Sequence, residues 1–392
     1  MTLQDRLVSV SFRGPGFDQI RLIAATIVLL HHCRGLQYPD IRADPLHDYS
    51  GGYMDFGRFA VVIFFAISGF LVAPGLVRNR SVIDYGINRT ARIFPGLIVN
   101  VLLTMLLLGP ILTTRSLTSY FSDPQLYLYA KNILTLTTNY LPGVLSPDGS
   151  PAIVNGALWT LHFEVLCYVT LAVFGVAGLL TRRSFFLAFW LASYAVYVAL
   201  NMAPSLKGIL FAQPLDSRLE RFLTFDSLFI YFGFGALLYL FRERIPFSIT
   251  LAGAALVLTL VALPLGAGPL VMPICLPYIV TFCGLSALPG KAFLKHDLSY
   301  GVYLIHAPIL IAFALAFPTM HIWWIGAAAV FLVTVLLSYA SWTFVEGPAL
   351  SKKKAVSNWI HRRIESIPPV LGTPVPVEPS AVKTIRSESS AG

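Results

Sequence analysis

The chain has few charged residues for its length. Aspartate, glutamate, lysine and arginine make up 12% of the 392 residues, whereas hydrophobic residues make up 56%. Soluble domains usually carry about 25% charged residues, so the composition excludes an ordinary soluble enzyme. The alternating segments of about ten residues that build a membrane β-barrel are also missing, and long apolar runs dominate. The composition therefore predicts an all-α fold, a polytopic bundle of membrane-spanning helices.

Cysteine is equally scarce. The chain has only four, which are Cys33, Cys167, Cys275 and Cys283. They lie in or beside apolar segments without the spacing of metal ligands, so we expect packed thiols, no disulfide framework and no bound metal. The net charge of +9 does not indicate nucleic-acid binding, because the basic residues cluster between apolar runs as membrane topology requires.

Apolar windows of about 17 to 25 residues predict ten membrane spans. Four prolines between residues 264 and 277 interrupt the seventh and eighth. The first twenty residues lack the apolar core and cleavage site of a signal peptide, so we expect the first span to remain as an anchor. The predicted spans are 17–35, 57–77, 93–112, 157–180, 184–201, 226–241, 246–264, 269–289, 299–317 and 323–345.

Basic residues orient these spans. If the N-terminus is cytoplasmic, the inside segments carry fifteen basic residues and the outside segments carry eight. This asymmetry fits the positive-inside rule, so both termini are predicted to be cytoplasmic. Residues 1–350 form the predicted membrane domain, and residues 351–392 a basic cytoplasmic segment with a Pro/Ser-rich tail that we expect to be disordered.

The longest outer connection is 113–156, and it is rich in tyrosine. Its middle, PQLYLYAKNILTLT, fits a short interfacial helix with aromatic residues at the headgroup level. Alternatively, the aromatic residues line a substrate vestibule. The sequence leaves both interpretations open.

The first span contains an arginine and two adjacent histidines. Arg21 and His32 are eleven residues apart, which places them on one helix face about 16 Å from each other. Ionisable side chains at membrane depth are costly and usually mark a pathway or a reaction site. Asp18 lies one turn before Arg21 and can pair with it. The alternative is that His31 and His32 are solvated caps at the membrane interface.

The fourth and ninth spans also carry polar side chains. Glu164 near the start of the fourth span can pair with Arg21 or orient His32, or it can reach water at the interface. In the ninth span, Ser299, Tyr303 and His306 follow at i, i+4 and i+7 and form a polar stripe. His306 is then either a functional residue or a satisfied core histidine.

Two arginines follow the second span. Arg89 and Arg92 lie one helical turn apart just before Pro95. Two guanidiniums on one face can clamp a phosphate or a carboxylate. The alternative is ordinary anchoring of the span by positive charge on its cytoplasmic side.

Small residues mark two features of the backbone. Ser68-Gly69 lies inside the second span without a base nearby in sequence, so we expect close helix packing rather than a nucleophilic serine. Gly347-Pro348 follows the last span and predicts a helix stop.

Six motifs, taken in order, resemble acyltransferase family 3, the integral-membrane acyltransferases that modify bacterial surface polysaccharides. Each motif is weak alone, but six in family order between about residues 15 and 350 are specific. They are Arg21 with ten residues before His32, FFAISGFL at 64–71, RTARIFP at 89–95, LWTLHFE at 158–164, SYGVYLIHAP at 299–308 and EGP at 346–348.

The resemblance implies a core of ten helices in the bacterial inner membrane with cytoplasmic termini. It also implies transfer of an acetyl or other short acyl group from cytoplasmic acyl-CoA to a hydroxyl of an extracytoplasmic glycan or lipid-linked saccharide. By motif position, His32 is the catalytic histidine, Arg21 is its partner, and Arg89 and Arg92 contact the acyl-CoA phosphates. His162 departs from the small or aliphatic residue that is usual in the family, which puts the surroundings of Glu164 in doubt.

We therefore predict a membrane-bound O-acyltransferase that uses acyl-CoA, with His32 as general base or acyl carrier. Its partners are the acyl-CoA donor, a saccharide acceptor and the lipid bilayer, with no nucleic acid and no metal. The alternative is a proton-coupled transporter or flippase that uses the same polar residues. The predicted catalytic residues are His32, Arg21, Glu164 and His306, and the predicted acyl-CoA-binding residues are Arg89 and Arg92.

Overall fold

The computed structural model describes residues 1–12, 14–37, 44–78, 81–203, 217–286, 296–317 and 322–365. Within these ranges it contains helices and two isolated β-bridges, and no extended strand. The prediction of an all-α fold is confirmed. The Pro/Ser-rich tail that we predicted to be disordered lies outside the described residues.

The α-helices are numbered in chain order. They are α1 (Leu3–Ser9), α2 (Phe17–Gln37), α3 (Pro45–Tyr49), α4 (Phe56–Val77), α5 (Val82–Leu103), α6 (Gly109–Leu112), α7 (Leu117–Ser122), α8 (Pro124–Tyr129), α9 (Trp159–Val176), α10 (Arg183–Met202), α11 (Ser217–Leu240), α12 (Ile249–Ala262), α13 (Gly268–Leu285), α14 (Ser299–Ala316), α15 (Trp323–Ser341) and α16 (Gly347–Glu365). Single π-helical turns follow α5 at Thr104–Leu108 and α15 at Trp342–Glu346, and 3₁₀ turns lie at Ala130–Leu134 and Gly156–Leu158.

Ten helices occupy the positions of the ten predicted spans. These helices are α2, α4, α5, α9, α10, α11, α12, α13, α14 and α15. Eight of them, taken together with the helical segments that continue α5, α9 and α15, are long and apolar enough to cross a membrane. The other two are α2, which carries charged and histidine side chains, and α12, which has 14 residues. The chain is a multi-pass membrane protein.

One span begins a full three turns earlier than predicted. Helix α5 starts at Val82 rather than at residue 93. Ser81 caps it by accepting a hydrogen bond from a backbone N–H of the first turn. Such a cap stabilises the start of a helix, but a search for apolar windows does not detect it. Arg89 and Arg92 consequently lie on a helix that leads into the bundle, and not in a loop.

The predicted helix stop at Gly347-Pro348 is wrong. The backbone N–H of Gly347 donates to the Trp342 carbonyl and closes a π-helical turn, and α16 follows at once. Pro348 then stands in the first turn of α16, where the N–H that proline lacks has no intrahelical partner in any case. The helix continues to Glu365, within the segment that we predicted as cytoplasmic.

Helix α2 is enclosed by the bundle. Its buried side chains include Ala24, Ala25, Val28, Leu29 and Cys33, and it packs against α4, α13, α14 and α15. All four cysteines of the chain are free thiols, as predicted. The helix that carries the two predicted site residues is therefore shielded from lipid on most of its sides.

Helices α4 and α11 approach closely at two glycines. A Cβ on Gly69 would lie 1.9 Å from the carbonyl oxygen of Phe232, and a Cβ on Gly235 would lie 2.2 Å from that of Ala66. Only a residue without a side chain allows the two backbones to come so near. The predicted packing role of this part of the second span is confirmed.

Replacing Gly69 by alanine should lower the free energy of unfolding by about 1–3 kcal/mol, because the new methyl group must push the α11 backbone away. Gly75→Ala on the same helix is the matched control, since its Cβ would lie 3.5 Å from the nearest atom, Tyr85 Cδ2. Denaturant unfolding of both variants in detergent micelles measures the difference. Equal stabilities would contradict the close contact.

Candidate active site

The three arginines that the sequence analysis singled out line one cavity. Arg21 of α2 and Arg89 and Arg92 of α5 lie near the helix ends that are predicted to face the cytoplasm. We call this space the inner cavity. Its other polar side chains are Ser68, Thr160, Glu164, Tyr168, Ser299, Tyr300 and Tyr303.

A carboxylate that the sequence analysis missed pairs with two of these arginines. Asp297, just before α14, lies 2.5 Å from Arg92 and 3.5 Å from Arg21. Arg21 also pairs with Asp18 at 3.3 Å, as predicted. Burial by itself would raise the pKa of Asp297, but the two guanidiniums and hydrogen bonds from Ser299 outweigh it and lower the pKa to about 2. Asp297 is therefore ionised at neutral pH and offsets part of the arginine charge.

Arg89 is placed differently from Arg92. Among the described residues no carboxylate lies within ion-pair distance of Arg89, and its guanidinium stands 5.6 Å from the centre of the Tyr168 ring. The guanidinium of Arg92 is bound to Asp297 and lies 5.6 Å from the Tyr300 ring. The two arginines predicted to be an equivalent clamp thus differ in charge compensation, and Arg89 is the more available cation.

Glu164 lies in the wall of the inner cavity. It accepts hydrogen bonds from the hydroxyl groups of Tyr168 and, at 3.3 Å, of Ser68. Among the described residues, Glu164 forms no hydrogen bond or ion pair with Arg21 or His32, which were its predicted partners.

His32 and His306 form a hydrogen-bonded pair across two helices. Nδ1 of His32 lies 2.8 Å from Nε2 of His306, and the two rings are 11° from parallel. His306 is fully buried, and its Nδ1 lies 3.0 Å from the carbonyl oxygen of Val302. Both histidines are predicted site residues, but their contact was not predicted from the sequence.

These partners determine the tautomers of the neutral rings. A carbonyl oxygen can only accept, so Nδ1 of His306 carries a hydrogen and donates it to Val302. Nε2 of His306 then accepts from Nδ1 of His32, so Nε2 of His32 carries a lone pair that no donor among the described residues engages. That nitrogen is the one in the pair that can accept a proton from a substrate.

His32 lines a second space of about 320 Å³ at the predicted outer ends of the helices. We call it the outer cavity. Its polar side chains include His31, Asp55, Arg58, Trp159, Thr224 and Ser227. Val61 and Tyr303 line both the inner and the outer cavity, so the arginines and His32 lie on opposite sides of a shared boundary.

A group with metal-ligand chemistry borders the outer cavity. His31, Asp44 and Asp55 each offer a ligand atom, and these atoms lie within 4.8 Å of one another. Asp44, however, already accepts hydrogen bonds from three backbone N–H groups at the starts of α3 and α4 and lies 3.2 Å from Nδ1 of His31. We assign this group to joining the end of α2 to the next two helices.

Comparisons with known proteins agree with this architecture. The family model of the acyltransferase domain of family 3 matches residues 15–343. The chain is 30% identical over 346 residues to an O-acetyl transferase of Shigella phage Sf6, which covers 86% of this chain and 96% of the relative. It is 27% identical over 366 residues to nodulation protein 10 of Rhizobium leguminosarum bv. viciae, which covers 87% and 94%. No solved structure matches the chain. Because the family model covers most of its length, the chain belongs to acyltransferase family 3.

Proposed function

We propose that the chain transfers an acyl group from cytoplasmic acyl-CoA to a hydroxyl of a saccharide on the outer side of the bacterial inner membrane. One observation carries this proposal. A cavity lined by three arginines and a cavity that holds His32 share Val61 and Tyr303 as their boundary. A donor from one side and an acceptor from the other can therefore meet inside the bundle.

The charge of the inner cavity suits a phosphate-bearing donor. Guanidinium groups bind phosphate oxygens in a planar, bidentate manner. Arg89 has no ion-pair partner in the described residues and is the natural first contact for such a phosphate. Arg21 lies in the same cavity as Arg89 and Arg92, which favours a role in positioning the donor. Glu164, which accepts hydrogen bonds from Ser68 and Tyr168, also lines the inner cavity and therefore lies on the side where the donor binds.

The free lone pair on Nε2 of His32 is suited to general-base catalysis. The acceptor hydroxyl gives its proton to this nitrogen while its oxygen attacks the thioester carbonyl carbon. The carbon–sulfur bond then breaks, and the imidazolium returns the proton to the departing sulfur of CoA. The products are the O-acylated saccharide and free CoA. Throughout, Nδ1 of His32 keeps its hydrogen bond to His306.

The names of the relatives support the choice of acceptor atom and acyl group. The phage relative is an O-acetyl transferase, which acts at oxygen and moves an acetyl group. Acetyl-CoA is therefore the first donor to test.

The test uses purified protein in proteoliposomes with acetyl-CoA labelled in the acetyl group. We expect release of free CoA together with labelled saccharide or labelled acetate. A proton-coupled transporter or flippase would leave the thioester intact, and that result would exclude the proposal.

The hydrogen bond between His32 and His306 predicts how substitution of His306 changes the rate. His306→Leu should lower kcat by roughly tenfold or more with little change in the KM for acetyl-CoA, because Nδ1–H of His32 loses its buried acceptor. His306→Gln should restore part of the rate, since its side-chain oxygen can accept the same hydrogen bond. Initial-rate kinetics on both variants provide the measurement. Equal loss in both would indicate that His306 only fills space.

A further inference from the structure

The outer cavity borders another polar space. A cavity of about 230 Å³ lies beside it, and Arg58, Thr224 and Ser227 line both. We call this neighbour the distal cavity. Asn201 and Asp226 are among the side chains that line the distal cavity alone. From the histidine outward, two polar compartments therefore follow one another.

The side chains of these compartments suit a neutral or weakly charged saccharide. Carboxylate, amide and hydroxyl groups come from Glu220, Asn201 and Ser227, and such groups exchange hydrogen bonds with sugar hydroxyls. Trp159 lines the outer cavity and is 37% exposed, so its ring offers an apolar surface beside polar groups. Charges of both signs are present, which disfavours a site for a simple anion.

Arg58 stands at the junction of the two compartments. It lies in the first turn of α4, where its backbone N–H donates to the capping carboxylate of Asp55. In the described ranges its guanidinium forms no ion pair. Its planar fork of five N–H donors can therefore bind adjacent oxygens of a ligand that spans the junction.

We propose that the protein recognises two linked sugar residues of its acceptor, one in each compartment. The reacting sugar occupies the outer cavity against Nε2 of His32, and the next sugar occupies the distal cavity. Arg58 contacts the saccharide between them and acts as a specificity residue. This inference rests on the proposed function, because it requires that the outer cavity hold the acceptor.

The experiment compares acceptors of different lengths. The probes are fragments of one to four sugar residues, prepared by partial acid hydrolysis of surface polysaccharide from a host strain without the gene. Labelled acetyl-CoA is the donor. For the wild-type protein we expect kcat/KM to rise roughly tenfold or more between one and two sugars, the effect of one or two added hydrogen bonds.

Three variants test how the second sugar is bound. Leu223→Trp fills the distal cavity, which Leu223 lines, and should reduce the preference for two sugars over one to about unity. Phe222→Trp is the matched control, since Phe222 is 56% exposed and lines neither compartment, and it should keep the preference. Arg58→Gln should raise the acceptor KM and leave the KM for acetyl-CoA unchanged.

Each outcome is decisive. A length preference that Leu223→Trp removes and Phe222→Trp retains supports the proposal. Transfer to single sugars as efficient as transfer to longer fragments would overturn it while leaving the proposed function intact, and so would a preference that survives Leu223→Trp. Absence of transfer to every fragment, with the thioester left intact, would overturn both proposals together.

Discussion

His32→Ala is expected to lower acyl transfer by about 10²–10⁴-fold, the range that general acid–base catalysis usually contributes. The variant removes Nε2, the nitrogen of the histidine pair with a free lone pair, and leaves both cavities in place. Because the substrates can still bind side by side, a residual rate should remain. Release of CoA and formation of labelled saccharide, measured in proteoliposomes, report the loss.

His162→Ala is the matched control for this experiment. His162 also lies on a membrane-spanning helix, but its ring packs edge-on against Phe163 and lines neither the inner nor the outer cavity. Its removal should therefore leave the rate close to that of the wild-type protein. A folded His32→Ala protein with full activity would show that the proton is accepted elsewhere.

The positions of the spans follow from sequence because they depend on local physics. Apolar length determines which segments cross a bilayer, and the ten predicted segments all correspond to helices. The pairing of Arg21 with Asp18 was equally predictable, since it joins residues one turn apart. The early start of α5 at Val82 was not, because Asp84, Arg89 and Arg92 keep the hydropathy of its first three turns low.

The contacts that build the site are long-range, and this is why the sequence did not reveal them. His32 and His306 are 274 positions apart, and Arg92 and Asp297 are 205 apart. Residue type and periodicity show that such side chains face inward, but only the packing of α2, α5 and α14 decides which of them meet. One contact of Asp297 is local. Its carboxylate accepts a hydrogen bond from the backbone N–H of Ser299 at 3.2 Å, and aspartate is a common residue at such a helix start.

In the proposed function, the arginine cluster must both attract a phosphate and be tolerated inside the protein. Three guanidiniums in one confined space repel each other, and Asp297 relieves this by binding two of them. A fully neutralised cluster would have little attraction for phosphate, whereas an uncompensated one would be costly to bury. The arrangement with Arg89 left outside the ion pairs meets both requirements.

Asp297→Asn is expected to lower the free energy of unfolding by roughly 3–5 kcal/mol, the usual cost of removing one partner from a buried ion pair. The substitution keeps the size of the side chain but leaves the guanidiniums of Arg92 and Arg21 facing each other without that negative charge. Asp18→Asn is the matched control: its side chain is 60% exposed against 12% for Asp297, so we expect a loss below about 1 kcal/mol. Denaturant unfolding in detergent micelles measures both.

The pH dependence of that loss follows from the lowered pKa of Asp297. An aspartate has a pKa of about 3.9 in an unfolded chain, and in the folded protein the pKa of Asp297 is about 2. A carboxyl group with a lowered pKa contributes its full stability above the unfolded value and loses it as the pH falls through the folded value. The difference between the wild-type protein and Asp297→Asn should therefore be constant from pH 7 to about 5 and shrink at lower pH. A difference that disappears already near pH 6 would show that the Asp297 carboxylate does not hold the two arginines together.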